Sequence, residues 1–168
     1  MKSGFVSLVG RPNVGKSTLL NQILHQKVTI VSDKPQTTRT QVRGVLTRPD
    51  VQVVCVDAPG IHKPRTLLGE RLNDTATSSI GGVDVVCLVV DATAPIGRGD
   101  QWVAERVPPD AIIVVNKTDL APPTDVLKQL QAAVERLSHG NEYFPVSAHT
   151  GEGVEELVST IIGRLPEG

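Results

Sequence analysis

The chain alternates short, continuous apolar runs with segments whose apolar positions recur at helical spacing. The apolar runs predict strands at Phe5 to Val9, Val51 to Val56, Val83 to Val90, Ala111 to Val115 and Tyr143 to Val146. The periodic segments predict helices at Ser17 to Leu24, Leu67 to Ile80, Gln101 to Val107, Val126 to Leu137 and Val154 to Leu165. Strands that alternate with helices indicate a mainly parallel sheet with helices on both faces.

One further segment, Val42 to Thr47, alternates apolar with polar residues. The turn at Arg48 to Asp50 that follows it is too short to hold a crossover helix, so this segment should form an antiparallel hairpin with the next strand at the sheet edge. The predicted fold is therefore α/β, with a six-stranded, mostly parallel sheet and one antiparallel edge strand. In such sheets a ligand sits beyond the carboxyl ends of the strands.

Length and composition add limits to this prediction. A chain of 168 residues suits one domain, and with 25 valines but only four aromatic residues its core must consist mainly of branched aliphatic side chains. A net charge of −1 gives no support for nucleic-acid binding through charge alone. Cys55 and Cys87 lie in apolar runs, which predicts buried, reduced thiols. No segment resembles a signal peptide or a membrane span, so we expect a soluble, intracellular protein.

The segment Gly10 to Ser17 has the spacing glycine, four residues, glycine, lysine, serine, and lies between a predicted strand and a predicted helix. Glycines let successive backbone N–H groups surround a polyphosphate, and the helix that follows adds its positive end. Lys16 would reach the β- and γ-phosphates, and the Ser17 hydroxyl would bind Mg²⁺. The alternative is a glycine turn before an ordinary helix.

A second tetrapeptide, Asn116 to Asp119, directly follows a predicted strand. The Asp119 carboxylate only accepts hydrogen bonds, so it can pair with the N1–H and amino group of guanine, a donor pair that adenine lacks. Asn116 can connect the base pocket to the phosphate loop, and the stem of Lys117 can lie along the base. After the last strand, Ser147 and Ala148 could offer a backbone N–H to the guanine carbonyl.

Two segments between these motifs carry candidate metal and γ-phosphate contacts. Asp57 ends a predicted strand and can hold Mg²⁺ through water, while the N–H of Gly60 can meet a γ-phosphate. The stretch Lys34 to Thr40 contains three threonines, of which two could offer a hydroxyl to the metal. An ordinary turn and an ordinary surface loop are the alternatives.

The motifs in this order resemble the translation-factor-related GTPases. The stretches Lys34 to Arg39, Asp57 to Arg65 and Leu67 to Asp74 narrow the resemblance to the G domain of the bacterial Era GTPases, a P-loop NTPase domain. The resemblance covers essentially residues 1–168 as a single domain. It implies that Thr38, or failing that Thr37, joins Mg²⁺. It also implies a role in maturation of the small ribosomal subunit and its RNA, in the cytoplasm or peripherally at the inner membrane.

Two features differ from the family pattern. Era proteins continue into an RNA-binding KH domain, so this chain is expected to be the isolated G domain, a monomer without the KH domain. Ala58 stands where the family usually has threonine. Because Asp57 and Gly60 carry the chemistry, nucleotide binding should change little.

The resulting site prediction combines the motifs with the resemblance. The nucleotide-binding residues are predicted to be Asn13, Val14, Gly15, Lys16, Ser17, Thr18, Asn116, Lys117, Asp119, Ser147 and Ala148. The metal ligands are predicted to be Ser17, Thr38 and Asp57. The catalytic residues are predicted to be Lys16, Thr38, Gly60 and Asn13.

The group that activates water is not evident. Ile61 occupies the position where Ras-type GTPases place a glutamine, so slow hydrolysis is expected of this domain alone. Asn13 resembles an asparagine that binds K⁺ in potassium-stimulated GTPases, with a loop-bracing amide as the alternative. Two other functions stay open: a guanine-nucleotide binding module without turnover, and a nucleotide kinase. Asn116 to Asp119 disfavours the kinase.

Overall fold

The structure, a computed structural model, describes residues 2–11, 14–24, 28–29, 41–57, 83–107, 110–137 and 142–166, and only the backbone of 28–29, 41–43 and 57. The strands are β1 Lys2–Val9, β2 Val28–Thr29, β3 Gln41–Arg48, β4 Val51–Asp57, β5 Val85–Asp91, β6 Ile112–Asn116 and β7 Tyr143–Pro145. The helices of this part of the chain are α1 Lys16–Leu24, α2 Arg98–Ala104, α3 Pro123–Leu137 and α4 Val154–Arg164. A 3₁₀ turn, Thr118–Leu120, follows β6.

These strands form one sheet in the order β2-β3-β4-β1-β5-β6-β7. The pairs from β4 through β1, β5 and β6 to β7 are parallel, whereas β3 runs antiparallel to both of its neighbours. The six predicted strands and the β3–β4 hairpin are therefore confirmed. A seventh strand, β2, adds two residues outside β3, so the antiparallel strand lies one position in from the edge. Two residues are too few to show an alternating pattern.

The core lies on both faces of the sheet. Buried side chains of α1 and α4 pack on one face, and those of α2 and α3 pack on the other. Every residue of β5 and β6 is buried, which explains why their sequences are continuous apolar runs. The prediction of helices on both faces is thus confirmed within the described ranges, while the helix predicted at Leu67 to Ile80 lies outside them.

Helix α2 carries polar contacts at both ends. Asp100 is 1% exposed and accepts the Gly97 N–H at 3.0 Å, so it caps the start of the helix. Near the other end, the Arg106 guanidinium lies 3.6 Å from the centroid of the Trp102 ring, and Arg106 Nη1 donates to the Trp102 carbonyl. These contacts lie within residues 97–106 and therefore stabilise the helix itself.

Both cysteines are buried and free of disulfides, in agreement with the expectation of buried thiols. Burial raises the pKa of Cys55 to about 12 and that of Cys87 to about 12. Each thiol therefore contributes as a small apolar group to the core. Among the residues with described structure, no helix has the length and apolar character that crossing a membrane requires.

Candidate functional site

The carboxyl ends of the central parallel strands bring the predicted motifs together. Residues after β1, β6 and β7 line a cavity of about 280 Å³ at this edge of the sheet. The cavity is lined by Gly15, Thr18, Asn116, Lys117, Asp119, Leu120, Ala148 and His149. Six of the predicted nucleotide-binding residues thus share one cavity, which also includes Leu120 and His149, two residues absent from the sequence-based prediction.

Two glycines of the phosphate loop occupy positions that a side chain would block. At Gly15, φ is +92°, and a Cβ atom would lie 2.4 Å from Asn116 Nδ2. At Gly10, a Cβ atom would lie 2.5 Å from the Val89 carbonyl oxygen of β5. The glycines are therefore required by close contact with β5 and β6, in addition to the freedom that a phosphate-binding loop needs.

Lys16 and Ser17 begin α1, directly after the loop. The Lys16 ammonium donates to the Gly10 carbonyl oxygen, the acceptor at the opposite end of the loop. The lysine side chain thus spans the loop between its two ends. Val14 is fully buried and anchors the loop in the core, and Thr18 in the first turn of α1 lines the cavity.

Asn116 connects three separate segments. Its side chain is 1% exposed, Nδ2 donates to the Val14 carbonyl at 3.0 Å, and Oδ1 accepts the Ala148 N–H at 3.0 Å. A buried amide is stabilised only when both of its ends are satisfied, as they are here. Asn116 therefore connects the predicted base-reading segment, Asn116 to Asp119, to the phosphate loop, as its sequence position suggested.

The Asp119 carboxylate lies at the exposed end of the cavity. Its Oδ1 accepts the Ser147 hydroxyl at 2.9 Å, and Ser147 Oγ in turn accepts the Thr150 N–H at 3.0 Å. Ser147 thus orients the carboxylate by a side-chain contact, rather than contributing only backbone. The Ala148 N–H already donates to Asn116 Oδ1. A guanine carbonyl could therefore accept this N–H only by sharing it with Asn116 or by displacing Asn116 as the acceptor.

Lys117 adopts the left-handed region at φ +69°, the one described non-glycine residue with positive φ. Its ammonium donates to Asp91 Oδ2 at 3.0 Å. Asp91 is buried at the end of β5, and its Oδ1 accepts both the N–H of Thr93 at 2.7 Å and the Thr93 hydroxyl at 2.6 Å. Asp91 is not among the residues predicted from the sequence, although it ends a strand run in the same way as Asn116.

The charge of Asp91 is stabilised within this network. Burial opposes ionisation, but the hydrogen bonds from Thr93 and then the Lys117 ammonium outweigh it and hold the pKa of Asp91 below its usual range. The backbone carbonyl of Asp91 also accepts a hydrogen bond from the buried Gln129 of α3 at 2.8 Å. The ionised carboxylate of Asp91 therefore connects the end of β5 to Lys117, and the backbone carbonyl of the same residue connects it to α3.

Several predicted residues lie outside the described residues. Asn13, Thr38 and Gly60 belong to this group, and Asp57 is described only by its backbone at the end of β4. In the described part of the chain, no group of three or more His, Cys, Asp or Glu side chains is arranged to hold a metal. Of the predicted Mg²⁺ ligands, only the Ser17 side chain is described.

The fold and site together define a P-loop GTP-binding domain: a glycine loop between β1 and α1, and a base-reading segment after β6 that contacts it. The model of the family described as 50S ribosome-binding GTPase matches residues 5–117, and the chain belongs to this family. Within it, the chain is similar over 99% of its length to GTPase Era of Mycobacterium sp. (strain JLS), at 45% identity over 172 residues.

Solved structures support the same relationship. Aquifex aeolicus Era bound to GDP and AlF4⁻ is 38% identical, with a TM-score of 0.79 over the whole chain. Era in complex with MgGDPNP and nucleotides 1506–1542 of 16S ribosomal RNA is also 38% identical, with a TM-score of 0.80. The chain spans 58% of the length of each of these proteins and of the Mycobacterium relative.

We expect Gly15→Ala to weaken GDP binding at least about tenfold and to lower the free energy of unfolding by about 1 to 3 kcal/mol, because φ is positive and the methyl group meets Asn116. Gly163→Ala is the matched control: its Cβ has no atom within 4 Å, and alanine favours the α4 helix by up to about 1 kcal/mol. Calorimetric GDP titration and urea unfolding compare the two. Equal behaviour of both variants would contradict the role assigned to Gly15.

We expect Asp91→Asn to lower the free energy of unfolding by about 2 kcal/mol at pH 7, because the charge-assisted bonds to Thr93 and Lys117 are lost. Folding lowers the pKa of Asp91. The wild type should therefore have the larger free energy of unfolding above the unfolded-state pKa of about 4, and this difference should decline as pH falls through the folded-state pKa. Urea unfolding of both proteins from pH 7 to pH 3 measures this. A difference that stays constant over that range would exclude the Asp91 carboxylate as its source.

Proposed function

We propose that this chain is the G domain of an Era-type molecular switch that binds GTP and GDP and hydrolyses GTP. The observation that carries the proposal is the Asn116 side chain, which bonds the phosphate loop at Val14 and the base-pocket backbone at Ala148. One buried amide thereby sets the distance between a polyphosphate site and a purine site. The relatives that bear the name GTPase Era support the same assignment.

Guanine specificity is assigned to Asp119. Its carboxylate lies at the cavity edge and is held by the Ser147 hydroxyl, so it can receive the two neighbouring donors of guanine. Adenine would leave the carboxylate opposite an acceptor, which is strongly unfavourable. The stem of Lys117 approaches Gly15, since its Cε lies 3.8 Å from the position of a Cβ there, and can cover the base face.

Phosphate binding is assigned to the loop and to Lys16, whose ammonium already lies across the loop at Gly10. Ser17, Thr38 and Asp57 would hold Mg²⁺, and the Ser17 hydroxyl in the first turn of α1 is a suitable hard oxygen donor for it. When bound, the ion neutralises charge on the β- and γ-phosphates. The solved Era complex with MgGDPNP is consistent with this ion.

Hydrolysis is proposed to be slow in the isolated domain because Ile61 cannot orient water. Asn13 is proposed to hold K⁺, which would supply positive charge at the phosphates. Gly60 and Thr38 are proposed to contact the γ-phosphate and its metal. The segments Asp33 to Thr40 and Gly60 to Leu68 would act as switches that γ-phosphate orders.

The partner is proposed to be the small ribosomal subunit and its RNA, acting with the full-length protein. The proposal is supported by the solved complex of Era with a 16S ribosomal RNA fragment. This chain covers only 58% of the Era chain in that complex. RNA binding is assigned to the KH domain of such proteins. The G domain itself is proposed to be a monomer, located in the cytoplasm or peripherally at the inner membrane.

We expect Asp119→Asn to reduce GDP affinity about 100-fold and to raise the affinity for xanthosine diphosphate. The new amide opposes the guanine amino group but complements the xanthine carbonyl at that position. Leu120→Ala is the control, since Leu120 lines the same cavity without a polar group and should affect both nucleotides alike. Titration calorimetry with both diphosphates and with ADP measures the preference. Wild-type affinity for ADP equal to that for GDP would refute the guanine assignment.

We expect phosphate release from GTP to be slow in Na⁺ buffer and faster in K⁺ buffer, with the difference lost in Asn13→Ala. Multiple-turnover assays, with and without small-subunit particles, measure the rates. Equal rates in both salts would remove the role proposed for Asn13. No release under any condition would instead establish a binding module without turnover.

A further inference from the structure

Arg11 is the second residue of the phosphate loop, a position that the loop pattern leaves open to any residue type. Its Nε donates to Asp100 Oδ1 at 3.1 Å, across 89 residues of sequence. The arginine side chain is 31% exposed and the aspartate side chain 1% exposed. The start of the loop is therefore tied to a carboxylate within α2 that lies away from the nucleotide cavity.

Asp100 has two structural partners, one for each oxygen. Oδ1 accepts Arg11, while Oδ2 accepts the Gly97 N–H at 3.0 Å and caps α2. A carboxylate that is buried this deeply is destabilising when no cation pairs with it. The ion pair therefore fixes the position of Arg11 relative to the helix. The same carboxylate thus determines where α2 begins and where the phosphate loop begins.

The stem of Arg11 also lies close to α2. A Cβ atom added to Gly99 would lie 3.7 Å from Arg11 Cδ and 3.8 Å from Arg11 Cβ, which places the aliphatic stem over the glycine. Both distances are ordinary van der Waals separations, so a small side chain at position 99 would pack against the stem without displacing it. The ion pair therefore connects the loop to the first turn of α2, and the aliphatic stem lies beside that turn.

The loop consequently has an anchor at each side of residues 12–13. Arg11 is held by Asp100 before them, and Val14 is held by Asn116 after them. A phosphate-binding loop must direct several N–H dipoles of like sign toward one point, and an anchored loop avoids the cost of ordering on binding. We propose that Arg11 is a positioning residue, which acts through Asp100 to keep the phosphate loop in its binding shape.

This inference rests on the proposed nucleotide function. It predicts that the variants lose nucleotide affinity through weaker phosphate binding, while base recognition is unchanged. We expect Arg11→Ala and Asp100→Asn each to weaken GDP binding about tenfold, the loss of one anchoring interaction. Asparagine at position 100 retains an oxygen for the Gly97 N–H. Because the base-reading residues stay in place, the ratio of GDP to inosine diphosphate affinity should remain at the wild-type value.

The experiment is titration calorimetry of GDP and inosine diphosphate with wild type, Arg11→Ala, Arg11→Lys, Asp100→Asn and the double variant Arg11→Ala/Asp100→Asn. We expect Arg11→Lys to recover part of the affinity, and the double variant to lose no more than the weaker-binding single variant. Arg48→Ala is the matched control, since Arg48 pairs with Glu155 at the same 3.1 Å but contributes nothing to the cavity. It should bind GDP like the wild type.

The outcomes are distinguishable. Wild type that does not bind GDP would refute the proposed function itself. Wild type that binds GDP, with Arg11→Ala equal to it or no worse than Arg48→Ala, would overturn the positioning role. A changed ratio of GDP to inosine diphosphate affinity would also overturn it, by showing a general structural defect. If Arg11→Ala does not fold, Arg11→Lys and Asp100→Asn decide the question by the same ratio.

Discussion

The buried amide of Asn116 is the contact on which the rest of the site depends. It belongs to β6, a strand whose five residues are all buried, so its position is fixed by the core. From there it satisfies the Val14 carbonyl and the Ala148 N–H with its two ends. Since neither end can be left unpaired at this depth, the phosphate loop and the segment after β7 cannot shift independently. The proposed base and phosphate subsites therefore share one support.

Charged contacts follow a common arrangement around this support. Lys117 of the base-reading segment pairs with Asp91, and Arg11 of the phosphate loop pairs with Asp100. In each case a buried carboxylate of a neighbouring element holds a partly exposed cation of a motif. Such pairs add modest net stability, but removing one partner leaves an unfavourable buried charge, so they specify geometry. The linear motifs consequently depend on residues that no motif contains.

The sequence was sufficient to predict the elements with strong periodicity and the contact between the two nucleotide-binding motifs. Fully buried valine runs predicted the central strands, and the order of motifs placed Asn116 against the phosphate loop. The start of α2 at Arg98, ahead of the predicted Gln101, was missed because Gly97 and Asp100 cap a first turn without apolar residues. The pair of Arg11 with Asp100 could not be predicted, since side chains 89 residues apart leave no local pattern. Similarly, the two residues of β2 are too few for periodicity.

The placement of Trp102 gives the molecule an optical property. It is the single tryptophan of the chain and stands on α2, two residues beyond the carboxylate that holds Arg11. Its ring lies beneath the Arg106 guanidinium at 3.6 Å, a charged group whose field acts on the indole. Fluorescence excited at the indole band therefore originates from one helix only. The chain thereby contains an intrinsic spectroscopic reporter of the helix to which the phosphate loop is attached, without any added label.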